Sequence, residues 1–184
     1  MTTATKRIIQ SNPISNSLRS LIYLLNGRWH KPAMQIYLLV IFSHLLEHII
    51  QTYQLWVLGW QRPECLGLLG LVCPWLMRSE WLHYGHAIFM LVGLAVFRPS
   101  FTGKARFWWD MAFVLQFYHH FEHALLLGQV IIHQNLFDSP IPISIGQIWF
   151  PRLELHLFYN LMVLVPMLIA MYYHRFPPYS SKAV

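Results

Sequence analysis

The chain has 184 residues, of which 56% are hydrophobic and 11% charged, whereas a soluble domain carries about a quarter charged residues. A net charge of +6 with 16% aromatics and a mean hydropathy of +0.42 does not suit a solvated nucleic-acid-binding domain. Such charge instead orients a chain in a bilayer. The length allows one membrane domain of a few spans and excludes a large appended soluble enzyme. Cys65 and Cys73 form neither a CxxC pair nor a thiolate zinc site.

In chain order, residues 1–32 carry Lys6, Arg7, Arg19, Arg28 and Lys31, and their one apolar run, 21–25, is too short for the core of a signal peptide. No cleavage is expected. Ile14, Leu18, Leu21, Ile22 and Leu25 follow the spacing of an amphipathic helix, and the flanking cations suit an anionic membrane surface. This segment is expected to lie in the interface.

About 20 apolar residues cross a hydrocarbon core as a helix, and four windows qualify: 33–57, 79–97, 107–132 and 153–173. Between them, the Pro- and Gly-marked stretches 63–74 and 140–151 are too short to span and are expected as surface or re-entrant helices. Ten cations fall on one side: five N-terminal, then Arg98, Lys104 and Arg106, then Arg175 and Lys182. Only Arg62, Arg78 and Arg152 fall on the other. Excess positive charge marks the cytoplasmic side, so both termini, including the tail 174–184, are expected there.

His44-Leu45-Leu46-Glu47-His48 recurs as His119-His120-Phe121-Glu122-His123 at an offset of 75, which also pairs Gln54 with Gln129. At an offset of 74, Arg78, Glu80 and His86 pair with Arg152, Glu154 and Asn160. The expectation is an all-α integral membrane protein: a four-transmembrane-helix bundle of two tandem two-helix repeats, 33–97 and 107–173, preceded by the interfacial helix. Same-sense repeats are related by an axis along the membrane normal, which would bring the two His/Glu stripes face to face.

Of the five glutamates, Glu47, Glu80, Glu122 and Glu154 lie within four residues of a histidine. On a helix His44, Glu47, His48 and Gln51 share a stripe, as do Gln116, His119, Glu122 and His123; Glu80, His83 and His86 share another. On the last span the inward pair is His156 with Asn160. Ionisable groups within a membrane face the bundle interior and need a partner. A cation serves several imidazoles and carboxylates at once. Imidazole with carboxylate and no thiolate suits iron, copper or zinc, and two-metal bundle sites use Glu with Glu-x-x-His, the spacing of Glu80 and His83.

His44/His48, His83/His86 and the His119, His120, His123 group resemble the histidine boxes of membrane fatty-acid desaturases and hydroxylases. That resemblance, confined to the motif residues, implies two irons and oxygen activation. His-x-x-Glu-His also matches the inverzincin protease signature, but the chain has no soluble substrate-holding domain.

The expected function is oxidoreduction of a lipophilic substrate such as a lipid, hydrocarbon or quinone. The metal centre would be most simply di-iron. Its ligands would come from His44, His48, His83, His86, His119, His123 and His156 with Glu47, Glu80, Glu122 and Glu154, and Glu47 and Glu122 would bridge metals or act as base. Glu80 and Glu154 could instead pair with Arg78 and Arg152. Two further classes remain open: a b-type haem or pigment held by facing histidines, and a non-catalytic subunit or assembly factor, in a complex or homo-oligomer, whose polar stripes join helices by hydrogen bonds.

Overall fold

A computed structural model describes residues 13–177, with side chains from residue 16. Lys6, Arg7 and Lys182, together with the Ile14 side chain, lie outside the described residues. The described chain is helical, without strands: α1 Pro13–Asn26, α2 His30–Trp56, α3 Leu69–Val72, α4 Pro74–Met77, α5 Glu80–Phe97, α6 Gly103–Ile132 and α7 Arg152–Arg175.

Three helical stretches, His30–Trp56, Glu80–Ser100 and Arg152–Arg175, are long and apolar enough to cross a membrane. The 30-residue α6, the longest described helix, is not among these three and carries His119, His120, Glu122 and His123 along one stretch. Its outer face is nonetheless apolar, with Phe107, Val114, Phe117, Phe121 and Ile131 exposed. An exposed apolar surface of that extent fits contact with lipid rather than water.

The long helices form a ring. α6 packs along α5 and α7, and α2 meets the same two helices. Two kinds of interior lie inside it. Towards the end bearing α1, Tyr37, Leu94, Trp109, Val163 and Met167 form one apolar cluster. There the Trp109 Nε1–H donates to the Leu94 carbonyl at 2.8 Å, and Phe101 stacks on the Trp109 ring at 3.9 Å. Gly93 leaves a hollow that the Tyr37 ring fills, since any Cβ there would overlap it. The Tyr37 hydroxyl donates to the Met90 carbonyl at 2.8 Å. Lipid tails supply no hydrophobic drive between helices, so close packing and hydrogen bonds of this kind hold the bundle.

α1 packs on α2 and α5 and is latched by Asn26, whose Nδ2 donates to the Val96 carbonyl at 2.8 Å and whose Oδ1 accepts from Ser100 at 2.6 Å. Leu18, Leu21 and Leu24 remain exposed along it. At the opposite end, the connections 57–79 and 133–151 fold back into the bundle. α7 contains Pro166, which has no N–H to donate to the preceding turn, so the Met162 carbonyl loses its helical partner.

Candidate metal centre

The second kind of interior is polar. His48, His83, His119, His123 and His156 are buried, with Gln51, Gln116, Glu80, Glu122 and Asn160. His83 and His156 lie one turn inside α5 and α7, about 5–6 Å from their starts at about 1.5 Å per residue, while His48 and His123 lie about 12–14 Å from the ends of α2 and α6. The four helices run alternately, so all four histidines lie in the half of the bundle nearest the connections 57–79 and 133–151.

Seven imidazoles from all four helices meet there. His44 and His48 face each other with Nε2 atoms 3.1 Å apart, and His119 and His123 repeat the arrangement at 3.1 Å. His86 stacks on His44 at 3.7 Å between ring centroids. His156 is the hub: its centroid lies 4.9 Å from that of His123, 5.8 Å from His48, 5.9 Å from His119 and 6.2 Å from His83. His120 lies apart, against Tyr84. His30 and His174 meet at the other end of the bundle.

The proton positions follow from the partners. His83 Nδ1 lies 2.8 Å from the Ser79 carbonyl and His156 Nδ1 lies 2.8 Å from the Arg152 carbonyl. A carbonyl only accepts, so both Nδ1 atoms carry the proton and both Nε2 atoms present lone pairs. His48 does the same through the Gln51 Oε1 at 2.9 Å. An Nδ1–H held by a backbone or amide oxygen is the arrangement that fixes a metal-binding imidazole. Among buried atoms without a partner are His156 Nε2, His86 Nε2, and Nδ1 of His119 and His123. Orphaned polar atoms in an interior are costly; of the two Nδ1 atoms of the bonded His119–His123 pair one carries a proton and the other a lone pair, and a cation is one way to satisfy the lone pairs among these atoms together. A four-coordinate ion with nitrogen ligands at about 2.0–2.1 Å separates them by about 3.3 Å, close to the spacing within each histidine pair. Among the described residues, however, no three His, Cys, Asp or Glu side chains converge in a metal-holding group. The rings are matched in pairs rather than gathered about one point.

The carboxylates are engaged elsewhere. Glu47 accepts from the Leu68 and Leu69 N–H groups at 2.7 and 3.0 Å. Glu122 accepts from the Tyr118 hydroxyl at 3.2 Å and the Gly146 N–H at 3.3 Å. Each thus pins a connecting segment down into the bundle, and Gln54 and Gln129 pin the same two segments, through Gly67 at 2.9 Å and Ile143 at 2.8 Å. Glu80 pairs with Arg152 at 2.6 Å, and Glu154 pairs with Arg62 through two bonds of 2.7 Å. Arg78 instead donates to the Pro63 carbonyl. Asn160 Nδ2 bonds back to the His156 carbonyl at 2.8 Å.

A cavity of about 570 Å³ runs from Arg62, Arg78 and Gln147 in the connecting segments down to His48, His83 and His156. Cys65 also lines it. Burial, with the neighbouring Glu64 carboxylate, pushes its thiol up, so it stays protonated and is a poor ligand or nucleophile. The hydrogen bond to Glu154 holds the Arg62 guanidinium more firmly charged than usual. One contact that spacing alone does not reveal is Tyr159, whose ring lies 4.8 Å from that of His119. No family model, curated protein or solved structure matches this chain.

Proposed function

We propose that the chain is a four-span membrane bundle of two tandem helix pairs, with both termini cytoplasmic. In this reading its histidine cluster holds a transition-metal centre serving oxidoreduction of a lipophilic substrate. The observation that carries the metal reading is the tautomer pattern: His48, His83 and His156, on three different helices, each give their Nδ1 proton to an oxygen and turn Nε2 to the interior.

The repeat reading draws support from matched bonding. Glu47 and Glu122, at equivalent positions, both take backbone N–H groups of the following connection, and the ion pairs Arg62–Glu154 and Arg152–Glu80 cross between the halves in both directions. A ring in which α2 and α6 touch the same two neighbours is what a two-fold axis along the membrane normal would produce.

The ligand set favoured by this geometry is imidazole, from His44, His48, His83, His86, His119, His123 and His156, with the glutamates positioning loops and partners. Such donors suit iron, copper or zinc, and iron or copper would supply one-electron chemistry. Around that centre, Arg152 and Glu80 hold the α5 and α7 ends together, and Tyr118 and Glu122 form a hydroxyl-carboxylate pair that can carry a proton.

The test is elemental analysis of detergent-purified protein alongside His48→Ala and His156→Ala. Stoichiometric iron or copper, lost in both variants while the fold persists by circular dichroism, is expected. No bound metal, with no thermal stabilisation by added iron, copper or zinc, overturns the reading. It would favour histidines that join helices by packing their rings against one another, as His44 does on His86 and His123 on His156.

A further inference from the structure

A second cavity, of about 510 Å³, lies on the flank of the bundle between α6, α7 and the connection 133–151. Trp149, Phe150 and Phe158 line it, and all three are exposed, so in a bilayer they face lipid. Its polar groups are few: two phenols and, at one end, the Glu154 carboxylate, whose two oxygens are taken by Arg62. The Tyr118 and Tyr159 rings, 6.0 Å apart, line it from the bundle side. Tyr118 donates to the buried Glu122 carboxylate at 3.2 Å, and the Tyr159 ring lies beside Tyr118. Gly146 belongs to this wall, and a Cβ on it would press the Leu155 methyls and approach the Tyr159 oxygen at 3.0 Å.

With its proton given to Glu122, the Tyr118 oxygen is left with lone pairs as its free valence, and the Tyr159 hydroxyl beside it can accept or donate. The groove therefore offers aromatic walls for a flat ring and acceptors for a hydroxyl, and it opens where an apolar tail can stay in lipid. We infer that this flank groove binds a hydroxylated aromatic lipid, a phenol or hydroquinone ring on an apolar tail, with its hydroxyl bonded to Tyr118 and Tyr159. Tyr159 is the wall between groove and cluster, its ring 4.8 Å from His119. The inference thus names the substrate class for the proposed oxidoreductase and rests on that reading for its purpose, though not for binding, which needs no metal.

The experiment is calorimetric titration of the full chain in lipid nanodiscs with decylhydroquinone. It is run on protein as purified and after chelation, with the dimethyl ether of the same compound as control. One saturable site is expected in both preparations. Binding should weaken about five- to tenfold for the ether, and by a similar factor for Tyr118→Phe combined with Tyr159→Phe, because each removes hydrogen bonds while keeping the rings. Trp149→Ala, at an exposed position, should also weaken binding without touching the cluster. Equal affinity for the ether, or for the double tyrosine variant with an unchanged unfolding transition, overturns the inference. Metal retained without hydroquinone binding defeats the groove alone, and hydroquinone binding by protein that holds no metal as purified and takes up none when it is added defeats the metal reading alone.

Discussion

Removing Arg152 should injure the protein far more than removing Arg62, although both make short bonds to a glutamate. The Glu80 side chain is 7% exposed and its partner Arg152 33%, whereas Arg62 and Glu154 are 48% and 28% exposed. Arg152→Gln therefore leaves a buried carboxylate without its cation, a change that costs about 3–5 kcal/mol. Glu80 opens α5, and the partial positive charge of a helix N-terminus returns about 0.3–1 kcal/mol of that. A loss of about 2–4 kcal/mol remains. Arg62→Gln breaks an exposed pair worth about 0–1 kcal/mol. The assay is reversible unfolding in mixed micelles with increasing sodium dodecyl sulfate, followed by circular dichroism. Adding Glu80→Gln to Arg152→Gln should restore much of the lost stability, because the unpaired charge is gone. Equal losses for Arg152→Gln and Arg62→Gln, or a double variant weaker than Arg152→Gln, would refute the assignment of Glu80 as a desolvated charge.

Gly67 has φ +74°, and a Cβ there would overlap the Glu47 carboxylate; Gly67→Ala should cost about 1–3 kcal/mol in the same assay. It should also speed proteolysis of 57–79, while unchanged cleavage would show that the segment is not pinned by Glu47. Glu47→Gln and Glu122→Gln should retain metal, since both carboxylates face backbone N–H groups, whereas His156→Ala should lose it; the reverse pattern, read by elemental analysis, would make the carboxylates ligands. Burial raises the Cys65 thiol, so its reactive thiolate forms only above the ordinary thiol range. In a Cys73→Ser background, alkylation by iodoacetamide should stay slow at neutral pH and rise at higher pH than for a free thiol, and a rate already on its plateau at neutral pH would contradict this.

The helices were legible because apolar length and polar spacing are local properties. The window 79–97 becomes α5 from Glu80 to Phe97, and 153–173 becomes α7 from Arg152 to Arg175. Co-facial spacing likewise placed His44 with His48 and His119 with His123. What spacing cannot reveal is where a side chain ends when its partner is distant in sequence. Glu47 shares the stripe of His48, yet its carboxylate reaches amides 21 and 22 residues onward. Those N–H groups lack partners of their own once the connection folds inward. Glu154 finds Arg62 rather than Arg152, because the latter reaches across to Glu80. Asn160, expected beside His156 as an inward group, bonds to its own helix. Each of these outcomes depends on how the two connections dip, and no periodicity in 57–79 or 133–151 encodes that.

Pro166 interrupts α7 between the segment that carries His156 and the segment that carries Met167 and Ala170, while Val163 and Leu164 just before it already pack in the apolar cluster. With the Met162 carbonyl released from the helical ladder, the two halves are not bound to share one axis. The tilt of the His156 segment is then set by what that segment touches: the Arg152–Glu80 and Glu154–Arg62 pairs at its tip, the four imidazoles around its hub and, next to the proline, the apolar cluster that takes Val163 and Leu164. A strap joined to a fixed post by a soft joint can tighten or slacken on its contents without disturbing the post. α7 has one such joint: a single missing backbone hydrogen bond lies between the segment ringed by imidazoles and the segment set deep in the apolar cluster.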